Sequence, residues 1–193
     1  MIEFKNFKLP KFTASQATLN FSVLEKQICH VKGKSGAGKT TFFNCIAGIE
    51  RNFMGEILFK TFKPQTAYMP QNVDWNEFSI SDLYSISEFF DEIEFKENLH
   101  YLNIASVLKE EKKPLSTLYL SGGQAQRLTL SFILSFKKKE LFLLDEPLSA
   151  LDPSYSLSAM ELIKDRIIKD ECCAFIISHA EIPEIFMDLE IVI

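Results

Sequence analysis

The sequence predicts an α/β fold: a mostly parallel sheet flanked by helices, with an N-terminal antiparallel β subdomain and an inserted α-helical subdomain. Three observations carry this reading. The stretch Gly33-Lys34-Ser35-Gly36-Ala37-Gly38-Lys39-Thr40 fills every fixed position of the phosphate-binding pattern G-x-x-x-x-G-K-[S/T], between an apolar-leaning run, Gln27 to Val31, and a helical one, Thr41 to Ala47. Leu141 to Leu144 is wholly apolar, as a strand covered on both faces of a parallel sheet must be, and it ends in Asp145-Glu146. Between them, Ser79 to Ile93 and Phe95 to Leu108 carry apolar residues at helical spacing within a chain that otherwise alternates strands and helices.

Taken in order, Ile2 to Phe7 and Thr18 to Val23 alternate apolar and polar residues, as half-covered antiparallel strands do. Their connection, Lys8 to Ala17, carries Phe12, which is either an ordinary surface aromatic or a ring that lies flat against an adenine. Gln27 to Val31 is the strand that feeds the glycine-rich loop; Lys32 is unexpected at the end of such a buried strand. Gly48 supplies a C-cap to the following helix, and Gly55 to Phe59 and Thr66 to Met69 read as strands.

Beyond Pro70-Gln71 the spacing predicts two helices, with Ser79 or Ser81 as N-cap, so that an insertion over roughly 72–135 interrupts a single domain of residues 1–193. Its aromatics Phe89, Phe90, Phe95 and Tyr101 read as core, and Trp75 as a contact residue. Ser121 then opens a helix running to Phe136, with Lys137 to Lys139 complementing its dipole. A helix from Tyr155 to Lys169, a strand from Ala174 to Ile177, Ser178-His179, a short helix near Pro183 and a last strand, Glu190 to Ile193, complete the chain.

At 193 residues and 47% hydrophobic content the chain is long and apolar enough for a real interior. No apolar run approaches the ~20 residues that span a bilayer, and charges and prolines punctuate the first residues, so a soluble, cytoplasmic product without a signal peptide is expected. A net charge of −5 argues against a globally basic nucleic-acid binder, so no nucleic-acid partner is expected. Cys29, Cys45, Cys172 and Cys173 show no C-x-x-C spacing and read as buried, reduced thiols.

The chemistry follows from residue type. Gly33, Gly36 and Gly38 let successive N–H groups, with those of Lys34, Ser35, Ala37 and Thr41, turn inward around an anion, and the helix dipole adds positive potential. Lys39 is placed to reach the terminal phosphates, and the Thr40 hydroxyl to ligate Mg²⁺. Ser121-Gly122-Gly123-Gln124, at a helix start, is by the same logic either a second anion site or an N-cap with flexible glycines. Asp145 and Glu146, at the carboxyl end of a central strand, sit where open α/β sheets place their ligands.

Together these residues resemble the nucleotide-binding subunit of ATP-binding cassette (ABC) transporters, a phosphate-loop NTPase fold, along nearly the whole chain. The ordered matches are the phosphate loop Gly33 to Thr40, the glutamine loop at Gln71, the signature Leu120-Ser121-Gly122-Gly123-Gln124, the acidic pair Asp145-Glu146, the Asp152 loop and the switch histidine His179. The resemblance implies ATP as substrate with Mg²⁺ held by Thr40, Gln71 and, through water, Asp145. It implies Glu146 as base for the attacking water, Gln71 completing the shell, His179 on the γ-phosphate and Asp152 at a subunit interface. It further implies a head-to-tail homodimer in which Lys39 of one copy and Ser121 to Gly123 of the other enclose one nucleotide, with Gln124 beside them.

Implied partners are membrane permease subunits and a substrate-binding protein, on the inner face of the cell membrane. Asp145 to Asp152 is similar to importer cassettes, and Met69-Pro70-Gln71 with Val73-Asp74-Trp75 is similar to the metal-ion uptake branch. The alternative is a soluble ABC-type ATPase of repair, translation or iron-sulfur assembly, working on a macromolecular assembly without a permease. Departures from the family are expected in three places: Phe12, or no residue at all, at the adenine-stacking position where Tyr is common, Lys32 where an apolar residue is usual, and a lack of the strands that normally follow Glu190 to Ile193.

Overall fold

The computed structural model describes residues 1–9, 18–61, 64–75, 78–86, 88–108, 115 and 119–193. Strand β1 (Ile2–Lys8) pairs antiparallel with β2 (Leu19–Val23) on one side and β4 (Met54–Phe59) on the other. The second sheet is parallel, in the order β5 (Thr66–Met69), β6 (Leu141–Asp145), β7 (Cys173–Ile177), β3 (Ile28–Lys32), β8 (Leu189–Val192). All five residues of β6 and of β7 are buried. Because side chains alternate along a strand, Leu141 and Leu143 enter one core while Phe142 and Leu144 enter the other.

Helix α1 (Lys39–Ile46) lies between the two sheets. Its Phe42 ring stands 5.3 Å from Phe4, 5.5 Å from Phe7 and 6.1 Å from Phe175, so aromatic side chains from both sheets clamp the helix that carries the glycine-rich loop. The opposite core is shared by the sheet, by α5 (Pro153–Lys169) and by the segments between β5 and β6: α2 (Ile80–Ser85), α3 (Glu92–Tyr101) and α4 (Gly122–Leu134).

The structure corrects several local expectations. The helix expected over Ser79 to Ile93 is broken. Ser79 caps α2 in a reciprocal capping box with Asp82, the helix ends at Ser85, and Asp91 starts α3 by accepting from the Ile93 and Glu94 amides. Between them Phe90 forms a bridge with Phe136. The second helix stops at Tyr101, where Asn103 adopts a positive φ of 51°, and only a 3-10 turn, Ala105–Val107, follows. The short helix near Pro183 is likewise a single 3-10 turn, Glu184–Phe186.

Trp75 is not a free contact residue. Its indole N–H donates to Thr129 Oγ1 at 2.8 Å and its ring meets Phe132 edge-on at 5.8 Å. Phe90 and Phe95 are core as expected, whereas Phe89 and Tyr101 are exposed. Lys32 is explained by its partner: Nζ lies 2.8 Å from Glu190 Oε2 on the neighbouring strand β8. All four cysteines are buried and free, and burial pushes the thiols of Cys45 and Cys173 up to about 11 and that of Cys172 to about 12. Among the described residues no helix is long and apolar enough to cross a membrane.

Arg166 on α5 ties the inserted helices to the rest. Buried to 5% side-chain exposure, its guanidinium pairs with Glu94 of α3 and with Asp170, and donates to the Phe136 carbonyl at 2.7 Å. Glu94 also meets Lys169, whose side chain is 65% exposed. Breaking a buried pair strands a charge, whereas an exposed pair is screened by water. Arg166→Ala is therefore expected to lower unfolding free energy in urea by about 3 kcal/mol, and Lys169→Ala by less than about 1 kcal/mol. Equal losses in the two variants would contradict this account.

Candidate active site

Three neighbouring strands of the parallel sheet deliver the polar residues to one edge. β3 runs into the glycine-rich loop, β6 ends in Asp145 and Glu146, and β7, which lies between them, continues into Ser178 and His179. The loop itself is a turn closed by the Ala37 amide on the Lys34 carbonyl at 3.0 Å. Gly38 is the N-cap of α1 with φ 96°, a conformation that costs glycine little and other residues much, and no side chain caps this helix. By contrast α2, α3, α4 and α5 are capped by Ser79, Asp91, Ser121 and Asp152. The first amides of α1 thus lack a side-chain cap, the arrangement in which a helix start can take an anion.

Lys39 is buried, and its ammonium lies over the loop, donating to the Gly33 carbonyl at 2.8 Å and the Lys34 carbonyl at 3.2 Å. It also comes within 3.5 Å of His179 Nε2. The Thr40 hydroxyl donates to Asp145 Oδ2 at 2.8 Å. Asp145 is 2% exposed, and burial raises its carboxyl above the usual range against the opposing pull of the Thr40 hydrogen bond and the Lys39 charge. A hydroxyl and a carboxylate held together form an oxygen donor set of the kind a hard divalent cation takes, and a cation would relieve the buried charge. These residues fit Mg²⁺.

Glu146 is the strained member. Its φ of 56° is rare outside glycine, and the turn is held by its amide donating to the Ile177 carbonyl at 2.9 Å and by Gln126 and Ser149 donating to its own carbonyl. The distortion swings the carboxylate off the strand. Oε2 accepts from the His179 amide at 3.2 Å, while Oε1, buried without a hydrogen-bond partner, lies 3.5 Å from His179 Nε2. Gln71, Glu146 and His179 line one cleft of about 740 Å³ with Leu148, Leu151 and Met160.

The structure thus brings together Lys39, Thr40, Asp145, Glu146 and His179, with Gln71 lining the same cleft as Glu146 and His179. It places the Ser121 turn elsewhere. Ser121 and Gly122 are exposed, and Gly122 lines a separate hollow with Gln71, Gln126 and Ala150. In this turn the Ser121 hydroxyl accepts from the Gln124 amide and the Gln124 side chain accepts from the Ser121 amide, leaving the amides of Gly122 and Gly123 for a ligand. Gly123 must be glycine, since a Cβ there would stand 2.7 Å from the Ala150 carbonyl oxygen. Asp152 is exposed and accepts from the Tyr155 amide and the Ser154 hydroxyl, which hold its carboxyl below the usual range. Phe12 lies outside the described residues.

Two residues of the site have no sequence signal. Gln126 reaches the Glu146 backbone from α4, and His30, fully buried on β3, donates from Nε2 to the Ser178 carbonyl at 3.2 Å. Nothing in a helix or strand pattern marks either contact, because each joins segments far apart in the chain.

Asp145 yields a pH prediction. Its folded pKa lies above the unfolded one, so its contribution to stability is present at acid pH and is lost as pH rises through the folded value. Ionised Asp145 therefore destabilises the nucleotide-free protein at neutral pH. Asp145→Asn is expected to raise stability at pH 7 by about 1 kcal/mol, with the gain fading as pH falls through the carboxylate range. Thermal melts of both proteins across pH check this, and a lower melting temperature for the variant at pH 7 would refute it.

The family model for ABC transporters matches residues 17–149. The zinc import ATP-binding protein ZnuC of Buchnera aphidicola subsp. Schizaphis graminum is 30% identical over 164 residues, which cover 84% of this chain and 67% of that protein. The chain spans 54% to 68% of the length of three curated zinc-import relatives that it matches. Among solved structures, a Pyrococcus furiosus protein described as an ABC transporter (ATP-binding protein) superposes with TM-score 0.79 at 20% identity, over 99% of this chain and 96% of that one. A dimeric ATP-binding cassette in a post-hydrolysis state with ADP and Pi gives TM-score 0.69 at 22% identity, over 93% and 88%. These two likenesses bear on the fold. The matched family model takes in more than half of the sequence, and the chain belongs to the ABC transporter family.

Proposed function

We propose that this chain hydrolyses ATP as one half of a head-to-tail homodimer and drives an importer of the metal-uptake kind through separate membrane permease subunits. The observation that carries the catalytic part is the convergence of Lys39, Thr40, Asp145, Glu146 and His179 at the ends of three adjacent strands. The uncapped amides of α1 and the Lys39 ammonium bind and orient the triphosphate. Thr40 and Asp145, with Gln71 from the wall of the neighbouring cleft, would hold Mg²⁺, which when bound would neutralise charge on the phosphate oxygens. Glu146, aimed into the cleft by its strained backbone, orients the attacking water and takes its proton. His179, between Lys39 and Glu146, contacts the γ-phosphate. No covalent intermediate is needed, since phosphoryl transfer is catalysed by positioning and electrostatics.

The exposed Ser121-Gly122-Gly123 turn serves the nucleotide of the second copy, and Asp152 on its adjacent loop lies at the same interface. What supports this assembly is the exposure of Ser121 and Gly122 together with a cap that leaves the Gly122 and Gly123 amides unengaged. The inserted segment, roughly 72–135, acts as a subdomain. It leaves the apolar side chains of Val73, Phe78, Ile86, Phe89 and Ile93 exposed, residues suited to contact with permease subunits on the inner face of the membrane. Similarity to zinc-import ATP-binding proteins supports metal uptake, with cargo chosen by the permease and a substrate-binding protein.

Glu146→Gln is expected to keep ATP affinity within about threefold, lose at least about 100-fold in turnover and elute as a dimer in the presence of ATP and Mg²⁺. Retained turnover removes Glu146 as base, and a monomer under those conditions removes the shared site. Lys39→Ala is expected to lose nucleotide binding, read by equilibrium dialysis with labelled ATP; normal binding would mean that the loop is not the phosphate cradle.

A further inference from the structure

The segment that presents His179 is pinned at several of its backbone polar groups. The Ile177 carbonyl accepts from the Glu146 amide at 2.9 Å, and the His179 amide donates to Glu146 Oε2 at 3.2 Å. The Ser178 hydroxyl accepts from the Ala180 amide at 3.0 Å and donates to the Ala180 carbonyl at 3.2 Å, closing a tight turn around His179. The Ser178 carbonyl is left beyond the last rung of the β7 ladder, since β3 pairs with β7 only as far as Val31 and Ile177. Its donor is His30 Nε2, at 3.2 Å, from a side chain with no solvent exposure.

A carbonyl only accepts, so this contact fixes the tautomer: the proton of His30 sits on Nε2. Nδ1 then carries a lone pair, and it is a buried atom without a hydrogen-bond partner, 3.8 Å from Glu190 Oε2. Lys32, on the same face of β3, engages that carboxylate at 2.8 Å, so Glu190 is held by a cation other than the imidazole. Burial holds His30 below the usual histidine range, in keeping with a neutral ring. A polar side chain is thus spent among the otherwise apolar fully buried residues of β3, and what it does there is hold one carbonyl in place next to the switch histidine.

We infer that His30 is a positioning residue for hydrolysis: its Nε2–H fixes the Ser178 carbonyl and thereby the turn that aims the His179 ring between Lys39 and Glu146. The inference rests on the reading of His179 as a γ-phosphate contact. His30 itself touches neither nucleotide nor metal in this scheme. Without its donor, a buried carbonyl is left unsatisfied, and the cheapest remedy is for residues 178–180 to rotate toward water, carrying His179 with them.

Two variants of similar volume separate positioning from packing. His30→Leu keeps the space filled but removes the donor, whereas the amide of His30→Gln places an N–H near the position of Nε2. Expected for His30→Leu is a fall in kcat of about tenfold with ATP affinity within about twofold, and for His30→Gln recovery of most of that loss. Unchanged kcat in His30→Leu, or equal losses in Leu and Gln variants, overturns the inference.

His179→Ala is assayed alongside. If it turns over like the parent, the reading of His179 itself fails; if it is inactive while His30→Leu is not, only the role of His30 fails. Imidazole ¹⁵N NMR of the unsubstituted protein, which has three histidines, gives a test that no misfolded variant can obscure. His30 is expected to carry its proton on Nε2, and a proton on Nδ1 alone rules the contact out.

Discussion

A strand buried on both faces has nowhere along its length to put a charge, and this constraint organises the molecule. β6 and β7 are apolar throughout their buried length until the last residue, where Asp145 closes β6, and the polar groups that follow them emerge together at one edge of the sheet. Because β7 separates β3 from β6, the phosphate loop and the acidic pair are held a strand apart, with His179 delivered into the gap between them. The Thr40 to Asp145 hydrogen bond and the approach of Lys39 to His179 both cross that gap. Site geometry here is a consequence of strand order.

The same economy governs the helix that follows the loop. α1 presents uncapped amides, an arrangement that helps bind an anion and contributes nothing to stability without one. Its anchorage comes from elsewhere: Phe42 and Phe43 are fully buried, and Phe42 is surrounded by rings from both sheets. Burying two such side chains contributes several kcal/mol, of order 2 kcal/mol or more each, which exceeds what a missing N-cap costs, about 1 kcal/mol. The antiparallel sheet is therefore more than a cover. It supplies Phe4 and Phe7 to the cluster that lets the loop remain polar and open.

Much of this was legible in the sequence because its signals are local. The loop pattern, the apolar run into Asp145-Glu146 and the Ser121 turn each sit within a few residues, and the strands and the two capped helices α4 and α5 fall close to where periodicity places them. What stayed hidden depends on partners distant in the chain. His30 and Ser178 are 148 positions apart, Arg166 and Glu94 72, Trp75 and Thr129 54. The break between α2 and α3 was missed for a different reason. Ile86, Phe89, Phe90 and Ile93 sustain a helical spacing, but the Asp91 side chain satisfies the Ile93 and Glu94 amides as well as a continuing helix would, and Phe90 is drawn into the core beside Phe136.

The site's least comfortable features also have a common direction. Glu146 sits in a left-handed conformation, Asp145 is a carboxylate in an environment that disfavours its charge, and Oε1 of Glu146 is buried without a hydrogen-bond partner. Each of these is a cost in the nucleotide-free chain, of order 1–3 kcal/mol for the backbone strain alone. In the function proposed above, a cation would answer the buried Asp145 carboxylate and a water the Oε1 of Glu146, while the backbone strain of Glu146 would remain. The capped Ser121 turn is different in kind, because its cap is already satisfied and only two amides and a hydroxyl proton remain to be engaged. The start of α1, with no side-chain cap, and the start of α4, with a reciprocal one, therefore differ in how many hydrogen bonds an incoming ligand could still satisfy.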